Sequence, residues 1–235
     1  MKKTLLNTTI VLAFMTIPRA YSRETVKNNS VNERERLLPF TQSFDPDLRP
    51  IFDKKLLLTP ASYGRMIRMH NGPDIGDSVV SVYCNEPSGT ETQCYVSLTR
   101  SDANLDHVRA DHRTDSDPFK KVKEVKVVRK DAPITPRVAN GFRNSLKALL
   151  PVKGDRRIET VEGWGFNRIE FWLPMQGVTP NNGEAPREPG KKITALIEVG
   201  DLLGRYCEIP EAKRPAIATQ IERKIELILG RQGSQ

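Results

Sequence analysis

Histidine and cysteine are scarce in this chain, with three of each among 235 residues. Any reaction that needs an imidazole must draw on His70, His107 or His112. No paired-cysteine zinc pattern is present. A Gly-x-Ser-x-Gly elbow, a P-loop, a dinucleotide glycine fingerprint and a His-Glu-x-x-His helix are also missing, and each absence removes the chemistry that the motif supports. After the N-terminal region no stretch supplies the ~20 apolar residues that a membrane-spanning helix needs. Neither an internal repeat nor a heptad array is present. Aromatics are thin at 6%, yet hydrophobic residues reach 37% and charged ones 28%. That balance suits one domain with its own core rather than a wholly disordered chain.

What is there begins with a strand pair. Val79 to Thr99 reads as two β-branched runs around a loop holding Pro87, Ser88 and Gly89. Placing Cys84 opposite Cys94 sets Val82 against Val96 and Val80 against Leu98, all on one face. Ser81, Tyr83, Tyr95 and Ser97 then share the other face. A one-residue slip would break this match, so the pattern selects the register. It also predicts a Cys84–Cys94 disulfide with Cys207 left over as a buried thiol.

The first residues read as an export signal. Lys2 and Lys3 precede an apolar run from Leu5 to Ile17, and small residues at Ala20 and Ser22 predict cleavage after Ser22, with Ala20 as the alternative. The formal charge is +8 and loses three cations, Lys2, Lys3 and Arg19, with residues 1–22. The excess that remains is modest. It permits attraction to an anionic envelope component, carries no specific nucleic-acid signal, and leaves a protein partner equally open. The expected organisation is a signal peptide over 1–22, a flexible polar leader over 23–43, one domain over 44–230 and a flexible tail over 231–235.

Within that domain, Thr59-Pro60 predicts a short helix through Met69, since a hydroxyl cap followed by proline favours a helix start. Thr135-Pro136 repeats the signal before a helix over about 136–150, with Val138, Phe142, Leu146, Leu149 and Leu150 on its stripe. Ser101 to Pro118 reads as a long polar connection. Phe119 to Lys130 reads as a basic strand, although its period does not exclude a helix. Arg157–Val161 and Phe166–Leu173 are expected to pair through Glu162-Gly163-Trp164-Gly165, followed by a loop from Pro174 to Gly190. Two helices close the chain, Lys191–Cys207 and Pro215–Leu229, with Gly230 as the stop. Gly200 and Gly204, one turn apart, allow a neighbouring element to approach closely. The fold class is α+β, an antiparallel sheet built from two β-hairpins with helices packed on one face.

Candidate functional residues are few. DHVRADH places His107, Asp111 and His112 near one another, but a spacing of five converges two ligands only in a bent loop, so a solvated acidic loop is the favoured reading. Lys121, Lys123 and Lys126 offer positive charge, against the ordinary role of lysines in protecting a sheet edge. Tyr83, Tyr95 and Trp172 fall on polar strand faces and offer a recognition surface, against the favoured reading that they lie beneath packed helices. Glu159, Glu162 and Glu170 are the carboxylates nearest Trp164, and paired carboxylates are what a glycosidase requires. No cofactor is expected. These features favour an exported, non-enzymatic binding protein of the envelope or extracellular space. The alternative is an envelope hydrolase using the His107/His112 loop or the glutamates around Trp164.

Overall fold

The computed structural model describes residues 34–39, 47–59, 61–70, 75–85, 92–151, 168–175 and 178–230. The chain begins with β1 (Leu38–Pro39) and α1 (Arg49–Leu56), then runs through β2 (Gly64–Met69), β3 (Ser78–Asn85) and β4 (Gln93–Ser101). Two short helices, α2 (Leu105–Asp111) and α3 (Lys120–Glu124), lead to β5 (Val127–Ile134) and α4 (Pro136–Leu149). A second hairpin, β6 (Arg168–Met175) and β7 (Val178–Glu184), precedes α5 (Lys191–Glu208) and α6 (Arg214–Leu229). The strands form one antiparallel sheet in the order β1-β7-β6-β2-β3-β4-β5, so the α+β class holds.

The first hairpin has the register read from its pattern. Cys84 lies opposite Cys94, Val82 opposite Val96 and Val80 opposite Leu98. The two cysteines are disulfide-bonded with 4.0 Å between their Cα atoms, and Cys207 is free and buried. Val80, Val82, Val96 and Leu98 enter the main core, where α4, α5 and α6 supply Phe142, Leu146, Leu196, Leu203 and Ile221. Thr135 caps α4 as its sequence suggests, its hydroxyl accepting from the Val138 amide at 3.3 Å. At the other end of the chain, Gly230 takes a left-handed φ of 66° and ends α6.

The three long helices cover one face, as expected. The opposite face is partly covered as well: Leu48, Phe52 and Leu56 on or beside α1, Leu105 on α2 and Val122 on α3 pack with Ile67 and Val79 in a second cluster. This second cluster explains why the Thr59-Pro60 helix does not form. Met66 points into the main core and Ile67 into the second cluster, a two-sided demand that only an extended strand between β3 and β6 meets. Thr59 turns its hydroxyl to Ser97 at 3.0 Å instead of capping a helix.

Three further expectations are corrected. The Phe119 to Lys130 run splits: Lys121 and Lys123 lie on α3, Lys126 follows it, and only from Val127 does the chain become an edge strand. The polar connection contains α2. The second hairpin pairs β6 with β7, a strand inside the stretch read as a loop, while residues 152–167, including Arg157–Val161, lie outside those described. Val178–Glu184 is a poor strand by composition, with Pro180, Asn181, Asn182 and Gly183, and is held by partners on both sides.

The described part of the expected leader is built into the domain. Leu37 is buried and its amide donates to the Leu149 carbonyl at 3.0 Å, while Leu38 and Pro39 pair with β7. Glu35 caps α5 from a distance: its carboxylate accepts from the amides of Lys191 and Lys192 at 2.9 and 2.8 Å. Gly190, the residue before α5, brings no side-chain cap of its own.

The bridge closes a loop with a sequence separation of 10. Its reduction should lower stability by about 2–4 kcal/mol without unfolding the domain. Non-reducing peptide mapping should recover Cys84 linked to Cys94, and Cys207, its thiol pushed up to about 12 by burial, should resist alkylation until the fold is opened.

Candidate functional site

The candidates from sequence separate in space. Tyr83 and Tyr95 stack on each other, with ring centroids 5.5 Å apart, and remain half-exposed on the second face of the first hairpin. Beside them Arg129 and Asp131 form an ion pair at 2.9 Å. Lys121 pairs with Glu124 at 2.9 Å and Lys123 with Asp117 at 3.4 Å, so both face solvent in local pairs. His107 and His112 each meet a different carboxylate, Asp111 at 3.8 Å and Asp115 at 3.0 Å. Among the described residues no group of three or more histidine, cysteine, aspartate or glutamate side chains is placed to hold a metal ion. Glu159, Glu162 and Trp164 lie outside the described residues.

Glu170 and Trp172 belong to a buried ionic cluster rather than an open cleft. Strand alternation puts Arg168, Glu170 and Trp172 on the second face, together with Arg65 across the β2–β6 pair and Glu184 across the β6–β7 pair. Glu170 is fully buried. Its carboxylate lies 3.1 Å from Arg168 and 3.6 Å from Arg49, and accepts from the Trp172 indole at 3.3 Å. Arg168 also reaches Glu184 at 3.2 Å, and the Arg49 guanidinium sits over the Trp172 ring, 5.2 Å from its centroid. Burial raises the Glu170 carboxyl, against the opposing pull of Arg168 and Arg49. The cluster ties the start of α1 to β6 and β7. Replacing Glu170 by alanine would take one carboxylate from Arg168 and Arg49, which keep Glu184 and Asp53, and should cost about 1–3 kcal/mol in denaturant unfolding.

The open site lies on the other face, at the end of the sheet beneath α5. There a cleft of about 510 Å³ forms between β2, β3, β4 and the helix. Its floor follows from strand parity. Met66, Val80 and Leu98 lie side by side across three strands, and two residues further along the same face come Arg68, Ser78 and Arg100, also side by side. The helix approaches because Gly200 presents no side chain: a Cβ there would lie 2.2 Å from the Met66 sulfur. Arg68 donates to Asp201 at 2.6 Å, and Arg100 donates to Glu208 at 3.0 Å. Arg205 completes the basic wall and, among the described residues, has no carboxylate partner. His70 lines the same cleft. Burial first, then the Arg68 and Arg100 charges, hold its pKa below the usual histidine value, against the pull of Asp201.

One buried carboxylate supports this wall. Asp77 accepts from the Leu105 amide at 3.0 Å, the Asn104 side chain at 3.2 Å and the His70 amide at 3.3 Å. Asn104 in turn donates to the His70 carbonyl and caps α2, accepting from the His107 amide at 2.7 Å. Asp77 thereby joins the end of β2, the start of β3 and the start of α2.

No family model, curated protein or solved structure matches the chain.

Burial raises the Asp77 carboxyl to about 6 from its ordinary 3.8, despite the opposing amides. Between those values the folded form keeps a proton that the unfolded chain has released. The stability contributed by this group is therefore full below about pH 4 and lost as pH rises through about 6. Asp77→Asn carries no such proton. Its stability relative to wild type should improve by on the order of 1–3 kcal/mol between pH 4 and pH 7.5. Denaturant midpoints at the two pH values check this.

Proposed function

We propose that the mature chain is an exported, non-enzymatic binding protein whose ligand sits in the cleft beneath α5. The cleft carries the reading. Its volume, about 510 Å³, falls in the range of small-molecule sites, and it joins the exposed Ile75 side chain to a wall of hydrogen-bond donors. Arg68 and Arg100 are pre-set by Asp201 and Glu208, which favours recognition by groups already in place. Export is supported by the N-terminal signal pattern and by the disulfide, a bond that persists in oxidising compartments. No helix among the described residues is long and apolar enough to cross a membrane.

The hydrolase alternative finds less support. Its histidines are paired separately on the surface beside α2, and its one described glutamate, Glu170, is buried beneath α1.

Protein recovered from its natural host should begin at Arg23 or Tyr21; an intact Met1 would overturn export. A labelled sample titrated with a cocktail of small neutral, cationic and anionic compounds should show amide shifts centred on Ser78, Arg100, Gly200 and Gly204. The compounds should emerge chemically unchanged. Shifts centred elsewhere, or conversion of a cocktail member, would overturn the binding reading.

A further inference from the structure

We propose that the cleft takes a small organic monoanion, a carboxylate with a short hydrocarbon tail. The carboxylate docks on the wall of Arg68, Arg100 and Arg205, and the tail lies against Ile75, the exposed apolar residue of the lining. This inference rests on the binding reading above and names its ligand class.

The lining divides along the strand axis. Met66, Val80 and Leu98 close the inner end beneath α5, at 2%, 2% and 4% exposure, so the apolar surface open to a ligand is Ile75, at 56%. At Gly204 α5 seals this end: a Cβ placed there would already be in ordinary contact with Val80 and Leu98. The outer end is polar, with Arg68, Ser78 and Arg100 on the strands, Asp201 and Arg205 on α5, and His70 and Asp102 beside them. A ligand with one apolar end and one charged end matches this order.

The sign of the charge follows from the donors. A guanidinium presents five N–H groups and accepts nothing. Arg68 and Arg100 each hold their carboxylate through a single terminal nitrogen, leaving donors for a second acceptor, and Arg205 holds none among the described residues. A planar carboxylate fits such forks through paired hydrogen bonds. The magnitude of the charge is limited by Asp102, Asp201 and Glu208, whose carboxylates stand beside the same arginines. They would repel a doubly charged phosphate more strongly than a single carboxylate. A cationic ligand would meet three guanidiniums. His70 acts as an internal gauge, since burial, Arg68 and Arg100 oppose its protonation while Asp201 favours it, and an added carboxylate would tip that balance towards the charged ring.

The experiment titrates the isotopically labelled mature chain with hexanoate, hexanol, hexylamine and hexyl phosphate at constant ionic strength. Hexanoate should bind most tightly, shift the Ser78, Arg100, Gly200 and Gly204 amides, and raise the pKa of the His70 ring. Arg100→Gln and Arg205→Gln, both at exposed positions, should each weaken hexanoate by about tenfold, the loss of one charge-assisted hydrogen bond, and leave hexanol unchanged. Equal or tighter binding of hexanol would overturn recognition of charge. Tighter binding of hexyl phosphate would overturn the monoanion. If hexylamine or hexanol occupies the cleft and hexanoate does not, the binding reading survives and this inference fails. If none of the four shifts the cleft amides, this inference fails, and the wider cocktail decides the binding reading.

Discussion

Helix α5 lies against the sheet without a side chain between them at Gly200, and the architecture of the main face depends on that contact. The Met66 side chain occupies the space where a Cβ would stand. Once the helix is seated at this height, Leu196, Val199 and Leu203 reach the core formed by Val80, Val82, Val96 and Leu98, and α4 and α6 pack alongside. The same seating decides what happens at the sheet's end. Arg68 and Arg100 are too polar to be buried beneath a helix, so they extend to Asp201 and Glu208 at its margin. The gap left between the buried floor and these outward pairs is the cleft. Core packing and the open site are two results of one helix–sheet distance.

The second face is organised by charge as much as by hydrocarbon. Phe52 and Leu56 anchor α1, but Arg49 at its first turn enters the cluster around Glu170. Arg65, beside it, is largely desolvated and held down to about 10 by burial, and it binds Ser81 at 3.0 Å and the Thr59 carbonyl at 2.6 Å. A buried ion pair adds little to stability over well-packed apolar groups, but a broken one is costly. These contacts fix where α1 sits, because any other placement would strand a charge.

Local patterns revealed much of this fold. The Val80/Val82 and Val96/Leu98 alternation set the register of β3 against β4, and Thr135 with the Val138–Phe142–Leu146 stripe marked α4. Both signals are satisfied within a short span of chain. Gly64–Met69 escaped because its partners, β3 and β6, lie on both sides of it and its two faces are buried in different clusters, which produces no alternation. β7 escaped because its pairing comes from β1 and β6 rather than from its own propensity. The cleft escaped for a related reason. Arg68, Arg100 and Arg205 come from three separate elements, and each looks like an ordinary surface cation in sequence. One signal does stand in the sequence: on β2, β3 and β4 a buried residue is followed along the same face by a polar one, Met66 by Arg68, Val80 by Ser78 and Leu98 by Arg100. Gly200 and Gly204 stood one turn apart opposite that boundary. Sequence spacing marks the glycines as a close-packing pair, but nothing local connects them to the arginines.

The Glu35 cap on α5 joins positions separated by 156 and 157 residues. Every segment between them must have left its site of synthesis before that contact can form. The same order applies to β1, which waits for β7, and to β2, whose second edge waits for β6. The hairpin of β3 and β4 can pair early, since its closure is local, whereas the outer half of the sheet carries the entropy of long loops. During that interval the β6-facing edge of β2 has unpaired amides and carbonyls, the kind of edge that recruits strands from other chains. The topology therefore places the aggregation hazard of this protein in time rather than on the finished surface: it lasts from the emergence of β2 until the arrival of β6.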